Sequence, residues 1–215
     1  MNLLQIALTT KCNLKCSTCP MKEWRNVEPK FPLTNRELIP FIERYCTPDK
    51  WVIELTGGEP ALYDGLDELC TWLSKSGYKV LIKTNGLLEI EAYPNIRRCA
   101  AFHQFINPPK YYDIYLIIDK LDSERKIAYC RYNRIPFRVI GLNKTPLPDQ
   151  FHRFDNIAFI NAAGHQVKCP SARPITNEVN GVDINRITHK PLDMGHCCDL
   201  CKIALDAWRF YDGMA

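Results

Sequence analysis

No stretch of this 215-residue chain approaches the roughly 20 consecutive apolar residues that a membrane helix needs. Asn2 and Gln5 interrupt the short apolar run at the N-terminus, and no signal-peptide layout follows, so the cytoplasm is the expected location. Dense charge is lacking too: the net charge of +4 is mild, and nothing in the sequence is more basic than Arg97-Arg98. No nucleic-acid footprint can be claimed on that basis, and charge identifies no partner. Repeats and low-complexity segments are missing, and a composition of 24% charged and 46% hydrophobic residues excludes disorder and fibrous assembly. No residue stands out as a general acid or base. What these absences leave is one folded body of about single-domain size with at most a small appendage.

Short apolar runs at Leu3–Leu8, Trp51–Leu55, Lys79–Ile82, Phe102–Ile106, Ile114–Ile118 and Phe137–Ile140 read as buried strands. Helical patterns lie between them. The clearest starts at Asp64 and puts Leu66, Leu69, Cys70 and Leu73 on one face before Gly77 supplies a stop. Thr34 and Glu37 form a capping-box pattern ahead of a second helix, which Pro40 in its second turn is expected to distort or shorten. Alternating strands and helices imply α/β architecture with a parallel sheet. Six strands in about 140 residues suit a partial (β/α)6 barrel better than a complete eightfold one, with chemistry beyond the C-terminal strand ends. A Pro-rich stretch from Thr145 to Pro148 marks the expected boundary between a barrel core, 1–148, and a small cysteine-rich extension, 149–215.

Cysteine is abundant, with eleven in the chain. In an intracellular protein of this size clustered cysteines bind metal or do chemistry more often than they form disulfides. Directly after the first strand stands Cys12-Asn-Leu-Lys-Cys16-Ser-Thr-Cys19-Pro20, a CxxxCxxC spacing. Three thiolates this close can hold three irons of a cubane and leave the fourth iron without a protein ligand. A zinc knuckle with a distant fourth ligand and a ferredoxin-type cluster with a fourth cysteine use the same spacing.

CxxxCxxC after a first strand resembles the signature of the radical S-adenosylmethionine superfamily, and two further motifs agree. The second strand ends in Thr56-Gly57-Gly58-Glu59-Pro60, similar to the family's GGEP segment, which receives the methionine amino group. The third ends in Thr84-Asn85-Gly86, where family members turn polar groups toward the active site. The resemblance covers roughly residues 1 to 142 and assigns cofactor contacts to Gly57, Gly58, Glu59, Pro60, Thr84 and Asn85, with Ile140 near adenine; Asn107, at a strand end before two prolines, reads as a ribose contact or a turn residue. One departure is Thr18, where many members carry an aromatic residue that packs near adenine; Trp24 lies close downstream.

The resemblance implies a 4Fe-4S cluster on Cys12, Cys16 and Cys19, with S-adenosylmethionine on the open iron. Reduced flavodoxin or ferredoxin would supply the electron that yields methionine and a 5′-deoxyadenosyl radical. Cys169 follows an apparent hairpin turning at Gly164, and His196-Cys197-Cys198-Asp-Leu-Cys201 precedes a final helix pattern from about Asp199 to Tyr211. This resembles a twitch or truncated SPASM extension, implying a second iron–sulfur cluster on Cys169, Cys197, Cys198 and Cys201. Adjacent Cys197 and Cys198 rarely serve one cubane, so a 2Fe-2S cluster, a three-cysteine cluster, or zinc recruiting His165, His189 or His196 stays open. Cys46, Cys70, Cys99 and Cys130 read as core residues in helices or at their ends. His103 and His152 read as structural or exposed, and Asp113 and Asp119 as surface or capping groups. The expected substrate is a peptide or a small molecule. A glycyl-radical partner protein, a nucleoside or deazapurine, and plain electron transfer are the alternatives.

Overall fold

The computed structural model describes residues 2–16, 19, 21, 22, 24–102, 112–118, 123–140, 157–167, 182 and 183. Its centre is a run of six parallel strands: β1 (Asn2–Ala7), β2 (Trp51–Thr56), β3 (Lys79–Thr84), β4 (Ile96–Ala101), β5 (Ile114–Ile118) and β6 (Phe137–Ile140). Three further strands, β7 (Ile157–Ile160), β8 (His165–Val167) and β9 (Val182–Asp183), continue the same sheet in the order β6-β5-β4-β3-β2-β1-β7-β8-β9. β7 runs parallel to β1, and the hairpin with β8 turns through Gly164 at a φ of 70°. The sheet does not close on itself among the described residues. No helix there is long and apolar enough to cross a membrane.

The strands are buried on both faces, as a parallel sheet flanked by helices requires. Leu4, Ile6, Ile53, Leu55, Val80 and Ile82 point outward into one core with helices α1 (Asn35–Tyr45) and α2 (Leu66–Lys75). Side chains alternate along a strand, so Gln5, Glu54 and Lys83 fall on the opposite, inner face. The face read for α2 is the buried one: Leu66, Leu69, Cys70 and Leu73. The Thr34–Glu37 capping box is formed, with Thr34 N donating to Glu37 Oε2 at 3.1 Å.

Two expectations are corrected. Pro40 does not shorten α1, which runs eleven residues. Pro40 is exposed, so the carbonyl it leaves unpaired one turn earlier, on exposed Arg36, is open to water. The fourth strand is Ile96–Ala101 rather than Phe102–Ile106; residues 103–106 lie outside the described residues. Arg97 and Arg98 disguised it. Arg98 is neutralised from a neighbouring segment, its Nε lying 3.4 Å from Asp113 Oδ2, and it donates to the Ile90 carbonyl at 2.8 Å. Residues 85–95, which link β3 to β4, contain no helix; Arg98 and the Tyr112 hydroxyl, which donates to the Leu88 carbonyl, hold that link instead.

A second core joins Phe102, Tyr112, Tyr115 and Ile117 to Cys130 of α3 (Ser123–Tyr132). Cys46, Cys70, Cys99 and Cys130 are all buried, as expected, although Cys99 sits in β4 rather than at a helix. Burial pushes the thiols of Cys46, Cys70 and Cys99 up to about 12, which keeps them protonated and inert.

Candidate active site at three strand ends

β1, β2 and β3 end side by side in register, with Ala7 opposite Thr56 and Leu55 opposite Ile82. Their C-terminal extensions therefore meet beyond the sheet edge. Leu8 still pairs with β2, its N–H donating to the Thr56 carbonyl at 2.9 Å, and the chain then leaves the sheet toward Cys12. Cys12, Cys16 and Cys19 are all half-buried and free of disulfides.

The glycines of Thr56-Gly57-Gly58-Glu59 face the protein's own chain. A Cβ on Gly57, whose φ is +138°, would lie 2.5 Å from the Thr9 carbonyl oxygen, and one on Gly58 would lie 2.2 Å from that of Lys11. Gly58 N donates to Thr9 O at 2.7 Å, and Glu59 N to Lys11 O at 2.8 Å. These residues thus dock the segment that carries Cys12, and the amide hydrogens of Gly58 and Glu59 are spent on that contact.

Glu59 is wholly buried. Its Oε1 accepts from Thr84 Oγ1 at 2.5 Å and from Ala61 N at 3.1 Å, and its Oε2 accepts from Asn85 N at 2.7 Å. Burial pushes its carboxyl above the usual range, and those three donors pull the other way. Pro60 opens a short 3-10 helix, Pro60–Leu62, that Glu59 caps. Asn85, at the end of β3, donates from Nδ2 to Asn13 Oδ1 at 2.6 Å and accepts at Oδ1 from Leu87 N at 3.0 Å. One polar chain therefore runs from the Glu59 carboxyl through Asn85 to the residue after Cys12.

The far end of the cysteine loop is fastened as well. Asn26, in the left-handed region at a φ of 59°, accepts from Cys12 N at 2.7 Å and donates to Cys12 O at 3.2 Å. Burial pushes the Cys16 thiol up, the charges of Cys19 and Cys12 add to this, and Arg25 opposes them. Arg25 Nη1 is buried with no hydrogen-bond partner. On the inner face of the sheet, Glu54 accepts from the Gln5 amide and lies 3.1 Å from Lys83 Nζ. Gln5 Oε1, beside them, is buried and has no partner.

Sequence reasoning missed Asn13, Arg25, Asn26 and the Gln5–Glu54–Lys83 group. The one legible signal was a glutamate inside an apolar strand. Ile140 closes β6 as expected. Thr18, Asn107, Asp119, His103, His152, Cys169, His189, His196, Cys197, Cys198 and Cys201, with the 145–148 boundary, lie outside the described residues. Asp113, half-buried, pairs with Arg98. A cavity of about 680 Å³ shares Thr9, Thr10 and Lys11 with the site but opens between Asn35, Tyr63 and Glu68, away from the three cysteines.

No protein-family model matches the chain. It is 34% identical over 99 residues to the mitochondrial GTP 3′,8-cyclase of Arabidopsis thaliana, a match covering 45% of this chain and 25% of that protein. It is 36% identical over 93 residues to 7-carboxy-7-deazaguanine synthase of Clostridium acetobutylicum, covering 42% of this chain and 41% of that one. The matches thus span less than half of either curated relative. Streptococcus suis SuiB, solved with S-adenosylmethionine, superposes with a TM-score of 0.57 at 11% identity, covering 88% of this chain and 66% of SuiB. The unclosed sheet matches the partial barrel of that structure, and in sequence and fold the chain is similar to radical S-adenosylmethionine enzymes.

Proposed function

We propose that Cys12, Cys16 and Cys19 hold a 4Fe-4S cluster with one open iron, and that the chain uses it to cleave S-adenosylmethionine reductively and abstract hydrogen from a substrate. One observation carries the reading: the cysteine loop is bonded to the ends of β2 and β3, through Gly58 and Glu59 after the first and Asn85 after the second. These bonds join the start of the loop and the two strand ends into one rim.

The donor set suits the cluster. Cys19 and Cys12 stand close enough to Cys16 for their charges to add to the burial that pushes its thiol up, and thiolates gathered this way suit cationic iron. The orphaned Arg25 Nη1 suits an anionic group seated among them.

When bound, the cluster supplies the electron that breaks the carbon–sulfur bond and releases methionine with a 5′-deoxyadenosyl radical. The chain's own residues bind and orient. With the amide hydrogens of Gly58 and Glu59 engaged, the Gly57-Gly58 segment offers carbonyl oxygens, the right partners for the methionine ammonium. Thr84 and Asn85 hold Glu59 and the loop in place, and Pro60 fixes the turn that follows. Asn107 and Ile140 are assigned to the ribose and adenine end. Reduced flavodoxin or ferredoxin is the electron source.

Residues 1–148 form the catalytic barrel in this reading, and 149–215 carry a second iron–sulfur cluster on Cys169, Cys201 and one or both of Cys197 and Cys198. Those cysteines would hold the cluster, which would supply an acceptor for one electron from the substrate. A peptide substrate is supported by the structure of SuiB with its precursor peptide SuiA. A purine substrate is supported by relatives named for GTP and for 7-carboxy-7-deazaguanine. Anaerobically reconstituted protein given dithionite and S-adenosylmethionine should form 5′-deoxyadenosine, whereas Cys16→Ala should form none. Iron-loaded wild type that leaves S-adenosylmethionine intact would overturn the proposal.

A further inference from the structure

The loop between Cys12 and Asn26 returns to its own start. Asn26 N donates to Thr10 O at 2.9 Å, and Thr10 Oγ1 donates to Val27 O at 2.8 Å, so the two ends lie side by side. On that base the Asn26 side chain adds two bonds to one residue: Oδ1 takes the Cys12 N–H at 2.7 Å, and Nδ2 reaches the Cys12 carbonyl at 3.2 Å. A side-chain amide carries one acceptor and two donors, so it can meet both groups of a peptide residue as a neighbouring strand would. Cys12 lies beyond β1 and has no strand partner there. Asn26 supplies the missing one.

The backbone of Asn26 is part of the device. Its φ of 59° is left-handed, a conformation that asparagine visits far more readily than bulky residues, and it lets Asn26 N reach Thr10 while the side chain turns to Cys12. Glycine could keep this backbone. It could not keep the two side-chain bonds.

We propose that Asn26 is a positioning residue for the cluster: a two-point amide clamp that fixes the Cys12 backbone, and with it the direction of the Cys12 thiolate. The inference rests on the reading of Cys12, Cys16 and Cys19 as cluster ligands. Asn26 touches the ligand residue through its backbone alone and is outside any ligand set.

Asn26→Gly and Asn26→Ala separate the clamp from the backbone. In iron-free protein, amide exchange over Cys12 should speed up in both variants, with the rest of the sheet unchanged. After anaerobic reconstitution, both should lose iron to a chelator about 10-fold faster than wild type, the scale on which residues behind metal ligands act. The midpoint potential of the reduced cluster should shift as well. Asn26→Gly that matches wild type in iron retention and potential would overturn the clamp, even if Asn26→Ala is impaired, because backbone conformation would then suffice. Wild type that takes up no cluster would instead sink the underlying reading and the clamp with it.

Discussion

Asn85 Nδ2 donates to Asn13 Oδ1 across 2.6 Å, joining the end of β3 to the residue beside Cys12 over 72 positions of sequence. With Oδ1 already accepting from Leu87 N, the Asn85 amide is built into the rim, and its effect on a ligand passes through the loop.

This pairing predicts coupling. Asn85→Ala and Asn13→Ala should each speed amide exchange over residues 12–16. A double-mutant cycle on stability should return an interaction of about 0.5–1.5 kcal/mol, the worth of one such hydrogen bond. Additive losses would show that the two side chains act separately.

Two glycine substitutions should differ for physical reasons. Gly58→Ala sets a Cβ 2.2 Å from the Lys11 carbonyl oxygen, and backbone on both sides leaves it nowhere to go. Its cost should exceed about 3 kcal/mol in chemical denaturation, the upper part of the overpacking range. Gly77→Ala meets nothing within 4 Å and strains only a φ of +77°, so it should cost about 1–2 kcal/mol.

Glu54 is almost fully enclosed, while the Lys83 side chain keeps 18% of its exposure. Lys83→Met leaves that carboxylate on the inner face with the Gln5 amide alone. A loss of roughly 2–4 kcal/mol in a denaturation midpoint is expected, short of the full cost of a wholly buried pair. Adding Glu54→Gln should restore part of it.

Glu59 gives a pH dependence with a definite sign. Because burial raises its carboxyl in the folded state, the folded protein holds that proton more tightly than the unfolded chain does. This contribution to stability is full below about pH 4.5 and is lost as pH rises through the folded value. Glu59→Gln cannot titrate and lacks this slope. The stability of wild type minus that of Glu59→Gln, measured by denaturation from about pH 4 to pH 8, should therefore fall as pH rises. A gap that widens with pH would mean that Thr84, Asn85 and Ala61 outweigh burial.

Local patterns were readable because they are written in adjacent residues: the apolar runs of β1, β2, β3, β5 and β6, the buried face of α2, the Thr34–Glu37 box, and the motifs at three strand ends. Reading failed where partners are distant. β4 is hidden by Arg98, whose charge is met by Asp113 fifteen residues on. Asn13, Asn26 and Glu54 were passed over because each owes its importance to long-range partners, namely Asn85, Cys12, and Gln5 with Lys83. That Gly57 and Gly58 also lack side chains because Thr9 and Lys11 lie against them was not legible locally, since those residues stand some 47 to 48 positions earlier in the chain.

The incomplete coordination proposed for Cys12, Cys16 and Cys19 is tested most directly by electron paramagnetic resonance of the dithionite-reduced, iron-loaded protein with and without S-adenosylmethionine. An open iron predicts that S-adenosylmethionine changes the reduced-cluster signal in wild type and that the responsive signal disappears in Cys16→Ala. A strong wild-type signal indifferent to S-adenosylmethionine would mean that all four irons are already ligated, and would contradict the account.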